Sequence, residues 1–487
     1  VKLQATKLIL AVVLAASAVA SGQTLAHRGW EGSGLSADPW WRTAVFYQLD
    51  PMTFQAGAGG VSPLGGVAGH LDYLQSLSVD AMILSPLQLG PPVAGAAPAL
   101  EPDCGSLDDF DNLIQQASGR KIRVLVDLPL STAKSTDDLT SVARFWLSRG
   151  VAGLRVVRDP AEKTAPTADQ VNAALQGLRQ VAAGFVGQRV LIVDGDLGAA
   201  ATPTSTTDAA AAPASPKAVS RPATASQSVS RSHRTASAAS SAAGPAASPA
   251  RAQLTLDAHA GFLTHLDGNE LRTALAAAEP PGRLATVAPA FATDRTGLTR
   301  SFTRYGDGKN DMAIARLLAT ILLTNRSAAV VYAGQELGLS DAATAIPWGS
   351  PQKDRRGKPL PPTGLNVLAE DADGASLLNW YRALAALHHG NPALASGTST
   401  LLDTGDPDVV AWLRKPASGA VAVILCNLSG KPAHVSILAG IRAATGQRKG
   451  FLHTLLPSVD PSMYMPPASI ENVPLPAYGV YLGELKR

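Results

Sequence analysis

From residue 44 to 194 the chain keeps one rhythm, in which five short β-rich runs alternate with four longer amphipathic ones. The β runs cover 44–51, 81–87, 124–130, 153–159 and 190–194, and the helical runs 67–77, 107–118, 137–148 and 169–183. Strands that must be buried between helices at this spacing pair in parallel through right-handed crossovers, so the class is α/β. Ser106 precedes one helical run as an N-cap, with Asp108 and Asp109 in the first turn, where the positive end of the helix dipole favours them.

The rhythm then breaks. Residues 199–252 are almost wholly Ala, Ser, Thr and Pro, and cannot bury enough apolar area to offset the entropy of ordering; a disordered insert is expected. Its positive side chains, Lys217, Arg221, Arg231, Arg234 and Arg251, outweigh Asp208 and exceed the whole chain's net charge of +3. The remainder is close to neutral, which gives no support to nucleic-acid binding. Order resumes with an expected strand at 261–266, a helix at 311–323, a strand at 328–332 and a helix at 376–389. From about 397 the pattern changes to short strands, at 409–413, 421–427, 433–438 and 480–482, which read as a separate antiparallel β-domain over 397–487.

Several chemistries are excluded by count. Two cysteines, Cys104 and Cys426, cannot build a disulfide scaffold, an iron–sulfur cluster or a Cys-based zinc site. No histidine pair has metal-ligand spacing and no Gly-rich phosphate loop is present, so neither metal nor cofactor is expected. Lys2 and Lys7 precede an apolar run from Leu8 to Ala20 that ends in Ala18-Val19-Ala20, small residues of the kind signal peptidase accepts. The run falls short of the ~20 residues that span a bilayer. Residues 1–20 are therefore expected to be a signal peptide, and the mature protein to be secreted or periplasmic.

Ordered motifs carry a resemblance. W-W-R-T-A-V-F-Y-Q-L-D-P, G-V-A-G-H-L-D-Y-L-Q-S-L-S-V-D-A-M-I-L-S-P, D-D-F-D-N-L-I, R-V-L-V-D-L, A-R-F-W-L-S-R-G-V-A-G-L-R, V-V-Y-A-G-Q-E-L-G-L and S-L-L-N-W-Y-R-A-L follow one another. In this order they resemble the α-amylase family, glycoside hydrolase family 13. The resemblance implies a (β/α)8 TIM barrel over 38–394, interrupted by the insert, with a C-terminal antiparallel β-sandwich. It also implies chemistry on an α-linked carbohydrate.

The family's retaining mechanism needs an Asp nucleophile, a Glu acid/base and a second Asp that orients the sugar, with the two reacting carboxyls about 5–5.5 Å apart. Matched residue by residue, the first motif keeps Asp127 but has Ser131 and Thr132 where Asn and His are usual. A buried acceptor paired with Arg155 is the expectation for Asp127. The second motif, G-L-R-V-V, keeps Arg155 and puts Val157 at the nucleophile position; Asp159 lies two residues on, on the same strand face. The third motif reads V-L-I-V-D-G-D, so Asp194 or Asp196 stands in for the Glu. The fourth reads H-L-D, which matches Asp267 to the orienting Asp, with His265 displaced by one residue. The family's B domain, which walls the cleft and often holds calcium, is replaced by a short loop, and its sugar-stacking Tyr is missing.

Two functions compete. One is an exported α-glycosidase or glucanotransferase, its chemistry falling to Asp267 and one of Asp194, Asp196 or Asp159 beside Arg155. The other is a non-catalytic scaffold, sugar-binding protein or membrane-partner subunit. In its losses the chain resembles the barrel ectodomain of the heavy chains of heteromeric amino-acid transporters, a branch without glycosidase function. Nucleic acid is not an expected partner.

Overall fold

The computed structural model describes residues 39–55, 60–87, 100–132, 135–158, 165–193, 197, 255–257, 265–277, 287–343, 345–350, 363–456 and 466–486. The expected signal peptide and the whole of the expected insert lie outside these residues. Eight strands form a closed parallel barrel: β1 Val45–Leu49, β2 Ala81–Leu84, β3 Arg123–Pro129, β4 Gly153–Val157, β5 Val190–Val193, β6 Thr255–Asp257, β7 Val287–Ala292 and β8 Ala328–Tyr332. Each pairs with the next, and Val45 of β1 meets Ala329 of β8 to close the ring. The insert does not open it, because Leu191 of β5 pairs with Thr255 of β6 across the gap in sequence.

Strands buried on both faces read as continuous apolar runs. Inside the ring, Phe46, Ile83, Leu125 and Ile192 pack against the small Ala290, Ala292 and Ala328, and Trp41 seals the base. Each large side chain so buried contributes roughly 1.5–3 kcal/mol. Gly153 is required where it stands, since a Cβ there would lie 2.1 Å from the Val190 carbonyl of the neighbouring strand.

The helices outside obey local rules. Leu107–Gly119 opens on a capping box: the Ser106 hydroxyl accepts from the Asp109 N–H at 3.1 Å, and the Asp109 carboxylate accepts from the Ser106 N–H at 2.9 Å. Phe110, Leu113 and Ala117 form its buried stripe. Thr136–Ser148 is capped by Ser135, and Ala168–Ala183 by a second box between Thr167 and Gln170. The helix expected at 67–77 is two pieces, Pro63–Gly69 and Leu71–Ser76. His70 breaks it because its ring Nδ1 takes the Gly66 carbonyl, at 2.9 Å, in place of the backbone N–H that would continue the helix.

In the second half the structure differs from expectation. Most of the strand expected at 261–266 lies outside the described residues, His265 and Leu266 form a bend, and the sixth strand is Thr255–Asp257. The helix Gly268–Ala277 and strand β7 have no counterpart in the sequence reading.

The C-terminal region is antiparallel. Strands β9 Thr398–Leu402, β10 Val409–Lys415, β11 Ala422–Asn427, β13 Phe451–Thr454, β14 Ala468–Ser469 and β16 Val480–Lys486 form one sheet in the order β14-β13-β16-β11-β10-β9; β12 Ala433–Val435 and β15 Val473–Leu475 form a second. Trp412 of β10 joins the barrel's own buried cluster. Beside it the fully buried Arg414 donates to the carbonyls of Thr324 at 2.9 Å, Asn325 at 2.6 Å and Leu394 at 2.7 Å.

Candidate functional site

In a parallel barrel, groups able to do chemistry gather at the C-terminal ends of the strands. Asp127 of β3 and Arg155 of β4 are register partners, so their side chains leave the sheet side by side. The Arg155 guanidinium donates Nε to Asp127 Oδ1 at 2.7 Å and Nη2 to Oδ2 at 2.6 Å. Its Nη1 donates to Gln48 Oε1 at 2.7 Å, and Gln48 Nε2 passes the chain on to Thr296 Oγ1 at 2.8 Å. Asp127, Arg155 and Gln48 are all buried. A charge so placed survives only when paired and hydrogen-bonded, and the two-pronged geometry supplies both.

Val157 ends β4, buried, opposite Pro129 of β3. Its isopropyl group has no lone pair and no proton to exchange. Asp159, Asp194 and Asp196 lie outside the described residues. His265 and Asp267 lie on the approach to a helix, and the residues before them, 258–264, lie outside the described residues. Both are exposed and precede the helix Gly268–Ala277, eight and ten residues beyond the end of β6. Asp267 Oδ1 accepts the N–H groups of Asn269 at 2.9 Å and Glu270 at 3.0 Å, and His265 Nδ1 meets Glu270 at 3.2 Å. These are the bonds of a helix N-terminus.

Two carboxylates that the sequence reading passed over stand at the barrel's mouth. Asp294 follows β7 and is buried. Ser301 donates to it both its backbone N–H and its hydroxyl, the latter at 2.7 Å. Burial pushes its carboxyl above the usual range, against the pull of Ser301 and of Arg304 and Arg300. Alternation with Ala290 and Ala292 points to Asp294 once the strand is known. Glu336, after β8, is fully buried; the hydroxyls of Tyr47 and Tyr73 donate to Oε1 at 2.7 and 2.6 Å, and the Gly334 N–H donates to Oε2 at 3.0 Å. Burial raises its carboxyl too, while the two tyrosines lower it. Gln335 donates through Nε2 to the Thr293 hydroxyl, tying the loop after β8 to the end of β7. Asp127, Asp294 and Glu336 thus each accept from protein donors. Among the described residues no three His, Cys, Asp or Glu side chains are grouped to hold a metal ion.

These features define a closed parallel (β/α)8 barrel with a polar network at its mouth and an antiparallel C-terminal sheet. Residues 48–136 match the α-amylase catalytic-domain family. The trehalose-6-phosphate hydrolase of Escherichia coli is 43% identical over 95 residues, 18% of this chain and 17% of that protein. The amino acid transporter heavy chain SLC3A2 of Oryctolagus cuniculus is 32% identical over 176 residues, 32% of this chain and 31% of that one. The matched stretches thus span a third or less of these relatives' own lengths. In fold, a trehalulose synthase variant bound to Tris aligns at TM-score 0.61 and 16% identity, over 92% of this chain and all of that one. Over residues 48–136 the chain is similar to α-amylase catalytic domains, and as a whole it shares the fold of that solved structure.

Proposed function

We propose that this is an exported α-amylase-type barrel protein of α-linked carbohydrate metabolism that has lost retaining hydrolysis at the usual place and acts by binding. The observation that carries the reading is Val157 at the end of β4, beside an Arg155 whose fork is spent on Asp127 and Gln48. Loss of a nucleophile alone costs several powers of ten in rate. Any residual chemistry falls to Asp159, Asp194 or Asp196. Export rests on the run from Leu8 to Ala20 and its small-residue end.

The test is hydrolysis of an aryl α-glucoside and of malto-oligosaccharides by the purified protein, alongside a variant with Asp159, Asp194 and Asp196 all changed to Ala. No turnover by either protein, with saturable binding of maltotriose, is the expected result. Turnover removed in the triple variant would sink the reading.

A second reading has its own support. The 176-residue match to a transporter heavy chain is the longer of the two sequence matches above, and favours a membrane-partner subunit built on the same barrel. Under it, crosslinking in native membranes joins the chain to one integral membrane protein and no sugar binds.

A further inference from the structure

One end of the C-terminal sheet lies within the described residues except for the terminal Arg487. There β10 finishes at Lys415 and β16 at Lys486, and three turns close the end: 416–421 into β11, 446–450 into β13 and 470–472 after β14. With the helix Leu438–Thr445 that feeds the second turn, this end carries Lys415, Arg442, Arg448, Lys449 and Lys486 against Glu471 and Glu484. Lys486 is paired with Glu484. Among the described residues Lys415, Arg442, Arg448 and Lys449 have no ion pair and no side-chain hydrogen bond, and all four are exposed. The end is positively charged, and most of that charge is free to meet a partner.

Arg448 and Lys449 are held where they stand by the glycines around them. Gly446 ends the helix in the left-handed region, at φ 78°, where a residue with a Cβ is strained. Gly450 lets the turn lie flat on β16, since a Cβ there would come within 2.5 Å of the Lys486 carbonyl. Phe451 follows, 51% exposed and the register partner of Lys486. Side chains so paired share one face of the sheet, with Cβ atoms about 5 Å apart. A bare phenyl ring therefore lies beside one ammonium group and directly behind a turn that bears two more cations.

This arrangement discriminates among anions. A headgroup layer takes apolar side chains from the tip of a protrusion, but here the tip is charged and the ring lies on the sheet face behind it. A folded acidic protein needs roughly 20–30 residues on each side, more than this end offers. A single sugar chain needs less. The negative face of a phenyl ring attracts the polarised C–H groups of a sugar, and the Arg448 fork matches a carboxylate in two-pronged fashion. We infer that this end of the C-terminal sheet is a docking surface for an acidic polysaccharide, laid across Phe451 with its carboxylates on Arg448 and Lys449. It uses none of the residues at the mouth, so it stands or falls separately from the α-glucoside reading.

The experiment is calorimetric titration of the full chain with polygalacturonate, and with the same polymer fully methyl-esterified. Binding of the acidic polymer alone, lost at high salt, is expected. Arg448→Gln with Lys449→Gln removes two exposed charges that bind nothing else in the protein, and is expected to weaken binding about ten-fold. Phe451→Thr, which a strand accepts, is expected to weaken it about five-fold without changing its salt dependence. Lys431→Gln, between β11 and β12 at the opposite end of the sheet, is expected to leave it unchanged. No binding, equal binding of the esterified polymer, or a comparable loss in Lys431→Gln would overturn the inference. So would displacement by maltotriose, which would put the polymer at the mouth. Polyglutamate or phosphatidylserine vesicles binding as tightly, with no effect of Phe451→Thr, would also overturn it and point to an acidic protein or a membrane.

Discussion

The mouth and the base of this barrel solve the problem of buried polar groups in opposite ways. At the mouth, side chains satisfy side chains for the most part: Asp127 with Arg155, Glu336 with Tyr47 and Tyr73, Asp294 with Ser301, the last two carboxylates each also taking one backbone N–H. At the base, side chains satisfy helix ends. Arg414 takes the carbonyls of Thr324 and Asn325, and His388, fully buried, sets Nδ1 against the Leu323 carbonyl and Nε2 against that of Thr43, both at 2.8 Å. Both members of a side chain–side chain pair can be substituted, so the pair can be removed together. The last carbonyls of a helix cannot be removed, and they need a donor from somewhere.

That difference makes the largest predicted effect a paired one. Asp127→Ala leaves the Arg155 charge buried without its main partner and is expected to cost about 4 kcal/mol in urea unfolding. Asp127→Leu with Arg155→Met, which removes both charges, is expected to recover most of that loss. A double variant as unstable as the single one would mean that the mouth network does more than balance its own charges. Arg414→Met, at the base, has no such remedy. It strips donors from the carbonyls of Thr324, Asn325 and Leu394 together, and is expected to cost about 3 kcal/mol. No single second substitution should restore it, since the acceptors belong to the backbone.

How much of this was legible in the sequence follows the same division. The first five strands declared themselves because Val, Ile and Leu run unbroken between capped helices. Ser106 was legible as a cap because its partner, Asp109, is three residues away. The sixth and seventh strands were not: one has three described residues, and the other is V-A-P-A-F-A, whose alanines and Pro289 give no strong period. Without that strand, Asp294 has no face to lie on. Glu336 stood within a quoted motif, yet its partners are 289 and 263 residues distant in sequence, and only the closed ring brings them together.

Acid should distinguish the two ends further. Burial holds the His388 imidazole down to about 4, against an ordinary value of 6.5. The unfolded chain therefore takes up this proton first as pH falls. His388 contributes stability that is intact above pH 6.5 and is lost progressively as pH drops to about 4, up to about 3 kcal/mol. At the mouth the sign reverses: the raised Glu336 carboxyl is protonated in the folded chain before the unfolded one, so its contribution favours low pH and fades as pH rises through the folded value. Unfolding free energy measured from pH 7 to 4 should fall in the parent protein and fall less in His388→Gln. An equal slope in both would remove His388 as the source.

The smallest effect tests whether the exposed rim of the mouth shares the character of its buried centre. Ser106 and Asp109 also pair side chain with side chain, at 2.9 Å, but in solvent, and both also serve the backbone of the helix Leu107–Gly119. If mouth pairs were removable units wherever they occur, Ser106→Ala with Asp109→Ala would cost little more than either change alone. If the helix end sets the rule, each change removes a separate backbone bond. Ser106→Ala then costs about 1 kcal/mol, and the double variant costs more than either single one. The second outcome is expected, because water can replace a side-chain partner more easily than it can restore the preorganised first turn. The rim then belongs, energetically, with the base.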